Sequence, residues 1–221
     1  ITFDNNLFFT LTKSEKINVT TLNEGSENTA FKALFGNDTA LFNFTSLNLE
    51  NINHNTLSKQ DFIILNEVTQ LSSGLLNTLL SFTNNGGSLL IVPPADLVNF
   101  NNYNILLNSL GINTIASKRE SELKINQFRT KHPIYKNVFT EALDKVNYPI
   151  SNQAYFLNKK KICTQIIGFA NKQDFLSAYT SKKGGIYQFS SPLNNSYNNF
   201  TKHALFVPTL INMATSSILV N

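Results

Sequence analysis

The sequence predicts an α/β fold: a three-layer sandwich with a central, mostly parallel sheet and antiparallel strands added in the second half. Three observations predict it. Residues 61–94, DFIILNEVTQLSSGLLNTLLSFTNNGGSLLIVPP, read as strand, helix, strand with the punctuation between them complete. The two strand runs, Phe62-Ile63-Ile64-Leu65 and, after Ser88, Leu89-Leu90-Ile91-Val92, are continuously apolar, as expected of strands covered on both faces. From Ile112 onward the pattern changes to shorter alternating runs separated by polar turns.

The central unit is justified residue by residue. Ser72 or Ser73 can cap a helix whose apolar stripe is Leu75, Leu76, Leu79 and Leu80. Asn84-Asn85-Gly86-Gly87 stops it, because glycine takes the left-handed conformation that ends a helix. Pro93-Pro94 closes the second strand, since proline cannot donate to a ladder. A strand, helix and parallel strand connected in this way form a right-handed unit.

The other elements follow in chain order. Residues 1–12 alternate loosely through Phe3, Leu7, Phe9 and Leu11, and are expected to be an edge or linking strand, with residues 1–14 set apart from a domain of residues 15–221. Residues 16–22 are the first strand of the parallel sheet, and the turn Asn23-Glu24-Gly25-Ser26-Glu27-Asn28 leads to a helix capped by Ser26 or Asn28. That helix packs Ala30, Phe31, Leu34 and Phe35 and ends at Gly36; residues 40–47 form a second strand near an edge. Tyr103, Leu106, Leu107 and Leu110 mark a short helix stopped at Gly111. The alternating runs are residues 112–116, 123–128, 153–157, 164–169, 175–179 and 186–189, with Gly184-Gly185 as a hairpin turn before the last. An apolar helix over residues 205–219, starting or bending at Pro208, closes the chain.

Composition removes several function classes. The 221 residues suffice for one large domain burying about 70% of its unfolded surface. Only 14% are charged, and amide replaces the missing charge: there are 33 Asn. The net charge of +4 is scattered apart from Lys159-Lys160-Lys161 and Lys182-Lys183, which read as solvated hairpin tips. Nucleic acid would call for a basic stripe interleaved with aromatics, and membrane insertion for a long apolar or basic amphipathic helix; the sequence has neither. The five Asn-x-Ser/Thr matches are what so many Asn, Ser and Thr give by chance. The single cysteine, Cys163, excludes an internal disulfide. The absent initiator Met suggests a piece of a longer protein.

The segments Glu-Asn with Ala-Leu-Phe-Gly-Asn-Asp (27–38), Asp-Phe-Ile-Ile-Leu-Asn-Glu (61–67), Leu-Leu-Ser-Phe-Thr-Asn-Asn-Gly-Gly-Ser-Leu-Leu-Ile-Val-Pro (79–93), Thr-Lys-His-Pro-Ile-Tyr-Lys-Asn-Val-Phe (130–139) and Ser-Pro-Leu-Asn with Asn-Phe-Thr-Lys-His-Ala-Leu-Phe-Val-Pro-Thr (191–209) carry a resemblance. Together they are similar to the C-terminal domain of Bat-type, aerotolerance-regulator-like bacterial membrane proteins over roughly residues 15–215. The resemblance implies a flavodoxin-like, class I glutamine amidotransferase-like fold. It also implies partners in the other domains of a parent chain and in a membrane-associated protein complex. The location it implies is the extracytoplasmic, periplasmic side of a bacterial inner membrane, reached through transmembrane segments outside this sequence.

In that fold a nucleophilic Cys follows a central strand within Gly-x-Cys-x-Gly, where a tight elbow exposes the sulfur to an oxyanion-binding backbone. The matching position here is Pro93-Pro94-Ala95-Asp96. The second signature of the fold, Gln-Phe-His-Pro-Glu, supplies the base and its orienting carboxylate; its counterpart is Gln188-Phe189-Ser190-Ser191-Pro192-Leu193, with His and Glu gone. Both halves of the device are missing together. The resemblance therefore implies no catalytic residue and no cofactor.

The residues themselves add few alternatives. Cys163 opens a strand-like run and reads as a small core hydrophobe. His203 is either a helix-terminus or packing histidine or a cleft residue, while His132 and His54 read as solvent-facing; three scattered histidines make no metal site. Gly25-Ser26 lacks the further glycines of a phosphate loop. Ligands of an open α/β sheet sit beyond the carboxyl ends of the parallel strands, which selects Asn23, Glu24, Asn66, Glu67, Pro94 and Asp96, with His203 as a further candidate. Glu67 is the most suggestive carboxylate, its plainer role being a cap or ion-pair partner at a loop start. Two functions follow. One is a non-catalytic interaction or scaffold domain. The other is a degenerate hydrolase acting on a small envelope molecule, which requires Glu67, Asp96 and His203 to converge in one cleft. Sugar binding through exposed Tyr, Phe and Asn has no motif behind it.

Overall fold

Turn chemistry decides where each strand of the parallel sheet begins and ends. In a computed structural model, the structure describes residues 16–136, 138, 147–181 and 183–216; the expected strand within residues 1–12 lies outside them. The chain forms β1 (Ile17–Asn23), α1 (Thr29–Gly36), β2 (Phe42–Asn48), the single turn α2 (His54–Leu57), β3 (Phe62–Asn66), α3 (Ser73–Asn84), β4 (Ser88–Val92) and α4 (Phe100–Ser109). Asn28, not Ser26, caps α1, its side chain accepting from the Ala30 N–H at 3.0 Å. Ser72 caps α3, accepting from the Leu75 N–H at 3.2 Å, and Gly86, at φ +114°, ends it as expected.

The second half adds β5 (Thr114–Arg119), β6 (Leu123–Phe128), β7 (Ile150–Ser151), β8 (Ala154–Asn158), β9 (Thr164–Phe169), β10 (Asp174–Thr180), β11 (Gly185–Phe189) and α5 (Phe206–Ser216). Nine strands form one sheet in the order β2-β1-β3-β4-β11-β10-β9-β6-β7. The first five are parallel and the remainder antiparallel. The parallel part has the flavodoxin-like order, with β1 at the point where the winding reverses.

Two expectations are corrected. β11, grouped by pattern with the antiparallel runs, pairs antiparallel with β10 as the hairpin turn predicts, but on its other side it pairs parallel with β4. β5 starts two residues later than its apolar run and pairs with β8 in a separate two-stranded sheet. The reason for the shift is Asn113. Its side-chain oxygen accepts from the Lys160 and Lys161 N–H groups at 3.0 and 2.8 Å, and its backbone N–H meets the Tyr179 hydroxyl at 3.3 Å, which fixes a turn where the pattern suggested a strand.

Alternation inside the sheet explains the unbroken apolar runs. Val19, Phe62, Ile64, Leu90 and Val92 point into one core with Phe31 and Phe35 of α1 and Leu210 and Met213 of α5. Ile63, Leu65, Leu89 and Ile91 point into the other, with Leu75 and Leu79 of α3, Leu106 and Leu107 of α4, and Ile115 and Tyr155 of the small sheet. Every residue of β3 and β4 is buried, so truncating one of their leucines to alanine costs about 2–5 kcal/mol. The three-layer architecture follows: helices and the small sheet on two faces, the large sheet between them.

The register then prepares the site. Asn23 stands level with Asn66, and Asn66 with Val92, so three strand ends finish in one row.

Candidate functional site

The crevice at the winding reversal is built from the loops that leave β1 and β3 and from residues 193–201, which arch over from the far side of β11. It encloses about 250 Å³ and is lined by Glu24, Ser26, Asn28, Glu67, Asn194 and Thr201, among others. A larger depression of about 510 Å³ lies at the opposite ends of β3 and β4, among Lys59, Asp61, Phe82 and Gly86. The smaller one is lined by Glu24, Asn66 and Glu67 of the candidates, but not by Asn23, Pro94, Asp96 or His203, and it coincides with the place where this topology gathers ligands, so it is the functional candidate.

Its floor is a relay of amides. Asn23 Nδ2 donates to Ser46 Oγ at 3.1 Å and to the Leu47 carbonyl at 3.2 Å. Asn66 Nδ2 donates to Asn23 Oδ1 at 3.0 Å, and Asn66 Oδ1 accepts from Asn28 Nδ2 at 3.4 Å. Asn28 Nδ2 also reaches the Leu193 carbonyl at 3.0 Å. The chain of bonds runs from β2 across β1 and β3 to the arching loop. Asn23 and Asn66, expected among the cleft candidates, are each 3% exposed and spend their side chains on the floor. They shape the crevice rather than face its contents.

Glu24 is exposed, and its carboxylate accepts from the Thr69 N–H at 2.7 Å and from the Thr69 hydroxyl at 2.8 and 2.9 Å. That grip ties the turn after β1 to the loop after β3. Glu67 is different. It sits at φ +58°, a left-handed conformation that glycine adopts freely and glutamate does not. Its backbone N–H extends the β3–β4 ladder to the Val92 carbonyl at 3.0 Å, and the carboxylate accepts from the Ala95 N–H at 3.4 Å. Burial pushes the Glu67 carboxyl above its ordinary value; the Ala95 N–H partly offsets this, and the negative charge of Asp96 adds to it.

The β4–α4 connection carries no nucleophile. Pro93 and Pro94 are buried, and Asp96 is exposed. The Tyr155 hydroxyl donates to the Pro94 and Ala95 carbonyls at 2.8 and 3.0 Å, and Gln153 Nε2 donates to the Ala95 carbonyl at 2.6 Å. Pro94, expected at the cleft, is an anchor for β8. At the end of β11, Ser190 and Ser191 are buried as well. Ser190 Oγ donates to the Asp174 carbonyl at 2.6 Å; Ser191 Oγ shares a hydrogen bond with Ser151 Oγ at 3.0 Å and accepts from Asn198 Nδ2 at 3.0 Å.

His203 does not join Glu67 and Asp96. Its ring lies between Phe128 and Phe200, with both centroids 6.4 Å away, and its hydrogen bonds go to Asn147 and Leu205. Among the described residues no hydrogen bond or ion pair links it to either carboxylate. The ring contacts and the turn-terminus position place His203 in a packing role. His132 is corrected from solvent-facing to half-buried: its Nδ1 accepts from the Ile134 N–H at 3.3 Å. Cys163 is half-buried rather than fully in the core. Its sulfur accepts from Asn113 Nδ2 at 3.5 Å, and burial, with the nearby Asp174 charge, pushes the thiol up, the reverse of nucleophile activation. Lys159, read as a hairpin tip, pairs with the buried Asp174 at 2.9 Å.

The crevice also uses residues that the strand-end argument does not select: Asn28, Thr69, Asn194, Asn195 and Thr201. Asn28 was legible as a cap. The arching loop was not, because it enters from a distant part of the chain.

Neither a known protein-family model nor a curated protein matches the sequence. Solved structures do match in fold. Two proteins of Salmonella typhimurium, each described as a cytoplasmic protein, align at 10% identity over 91% of this chain and 98% of theirs, with TM-score 0.65, and at 11% over 90% and 99%, with TM-score 0.66. A ThuA-like protein from Bacteroides uniformis aligns at 11% identity over 96% of each chain, with TM-score 0.61. At such identities the likeness is one of fold, and it agrees with the flavodoxin-like, amidotransferase-like architecture. It corrects the extracytoplasmic placement. That location came with the resemblance and with segments outside this sequence, whereas the two neighbours matched along nearly their whole length are described as cytoplasmic. No helix among the described residues is long and apolar enough to cross a membrane.

Proposed function

We propose that this chain is a non-catalytic interaction domain: an amidotransferase-like frame that has lost its reactive groups and offers the crevice between β1 and β3 as a rigid docking place for a partner. One observation carries the reading. Where the frame would hold a nucleophile stand Pro93-Pro94, buried under Tyr155, followed by Ala95 and the exposed Asp96, with no thiol or hydroxyl among them; where it would hold a base stand Ser190-Ser191-Pro192, buried over Asp174 and Ser151 with both hydroxyls hydrogen-bonded. A buried hydroxyl that donates to a carbonyl has no base to activate it and no path to a substrate. The resemblance to Bat-type proteins implies the same role, a module working beside other protein domains.

The test is turnover. The purified chain is assayed for glutamine and ester hydrolysis beside Glu67→Gln and Asp96→Asn variants. The expected rates equal buffer alone in all three. A measurable rate that falls by about 10²-fold or more in either variant, as loss of an acid–base group would require, overturns the proposal and restores the hydrolase reading.

A further inference from the structure

Two histidines outside the crevice flank two helical elements that pack on each other: His132 caps the single turn Pro133–Tyr135, and His203 stands in the turn that leads into α5. The single turn Pro133–Tyr135 is joined to α5 by a buried contact between the Tyr135 and Thr209 hydroxyls at 2.9 Å, and by Asn212 Nδ2 donating to the Ile134 carbonyl. His132 Nδ1 accepts from the Ile134 N–H at 3.3 Å, capping the turn. His203 Nδ1 accepts from the Leu205 N–H at 3.2 Å, one residue before α5. An accepting ring nitrogen carries no proton, so both hydrogen bonds exist only with neutral imidazoles. For His203 the tautomer is also fixed from the other side, because Nε2 must donate to the Asn147 carbonyl at 3.1 Å. Protonating Nδ1 would set one N–H against another.

We propose that His132 and His203 form an acid-sensitive latch: a proton on each Nδ1 turns both ring nitrogens from acceptors into donors and loosens the Pro133–Tyr135 turn, and the turn that leads into α5, together from the sheet. Among the described residues the charges around the pair do not oppose this. Arg129 acts on His132; Lys131 and Lys202 precede the two histidines in the chain; Lys124 lies 5.2 Å from the centroid of the Tyr148 ring, which stacks on Phe128. α5 has no charged side chain, and among the described residues no carboxylate pairs with either imidazole; Glu141 and Asp144 lie outside them. Burial holds both histidines below their ordinary value, and Arg129 adds to this at His132. At His203 the bond to the Asn147 carbonyl works the other way and is outweighed by burial. A base whose folded pKa is lowered binds fewer protons folded than unfolded. The stability it confers is therefore present above about pH 6.5 and is lost as pH falls below it. The latch reaches the crevice, since Thr201, two residues before His203, lines it and α5 packs on β1 and β4.

The experiment is amide hydrogen exchange on the whole chain at pH 7 and pH 5, corrected for intrinsic rates. Peptides covering residues 130–136 and 203–216 are expected to lose about tenfold or more of their protection at pH 5, while those over β3 and β4 do not. In the double variant His132→Asn/His203→Asn, whose amides accept without titrating, the pH step should vanish. Equal protection of α5 at both pH values in the native chain overturns the latch, as does a pH step that persists in the double variant. Should that variant fold poorly, NMR titration of the native imidazoles decides: both must titrate below the ordinary histidine value, and either one at or above it refutes the proposal.

Discussion

Replacing Asn66 with alanine cuts the amide relay at its centre, and its cost can be worked from the hydrogen bonds. The substitution removes the 3.0 Å donation to Asn23 Oδ1 and the 3.4 Å contact from Asn28. Asn28 keeps the Leu193 carbonyl, so little is lost there. Asn23 Oδ1 loses the donor that satisfies it, at a residue 3% exposed. A net hydrogen bond is worth about 1 kcal/mol and a stranded buried acceptor about 1–3 kcal/mol, so Asn66→Ala should cost about 2–4 kcal/mol. For a chain of this size that lowers Tm by roughly 5–15 °C. Asn66→Asp keeps the shape and the acceptor for Asn28 but places an oxygen against Asn23 Oδ1. It should be destabilised at pH 7 and recover at low pH, where a protonated carboxyl again donates. A buried carboxyl has its folded pKa raised, so its stabilising protonated form is lost as pH rises from the ordinary aspartate value of about 3.9 upward. Urea denaturation of Asn66→Ala, Asn23→Ala and the double variant completes the cycle, and the two costs should fall short of adding by about 1 kcal/mol or more. Refutation is simple: an Asn66→Ala variant within about 0.5 kcal/mol of the native chain, or strict additivity, would mean that the relay does not hold the floor.

Four further outcomes are expected. At Glu67, φ +58° penalises any side chain, and most of all a branched one; Glu67→Val should be at least about 1 kcal/mol less stable than Glu67→Gly in urea titrations at pH 7. The raised Glu67 carboxyl makes the native chain lose stability as pH rises through the ordinary value of 4.5 toward its folded pKa; Glu67→Gln should lack that part of the slope when the two are melted between pH 4 and 7. A Cβ at Gly184 would lie 2.1 Å from the Gly87 carbonyl oxygen and 2.7 Å from that of Thr83, so Gly184→Ala should cost about 1–3 kcal/mol in thermal melts, whereas Gly185→Ala, with its nearest neighbour at 3.7 Å, should be close to neutral. Alkylation of Cys163, followed by intact mass, should be slow at pH 7 and accelerate only above about pH 9, since its thiol is pushed up; fast labelling at pH 7 would contradict the burial assigned to it.

Sequence alone determined the parts of this protein that depend on short stretches of chain. The continuous apolar runs of β3 and β4, the serine and glycine at the two ends of α3, and the rigid Pro93-Pro94 stop are local signals, and each names its element without reference to the rest. Strand ends follow from strands, so Asn23, Glu24, Asn66 and Glu67 could be placed at the crevice before any coordinates existed. Tertiary structure decided what those residues do. The level register of β1 and β3 turns two amides into a floor, and the closeness of Val92 and Ala95 leaves Glu67 in a left-handed conformation with its carboxyl half-buried. Neither can be read from composition, because both depend on which residue of a distant strand stands opposite. The same holds for the arching residues 193–201, the pairing of β5 with β8 instead of with the large sheet, and the two histidine turns that meet through Tyr135 and Thr209. Local propensity sets the elements; contacts between residues far apart in the chain set the site, and only the packed structure supplies those.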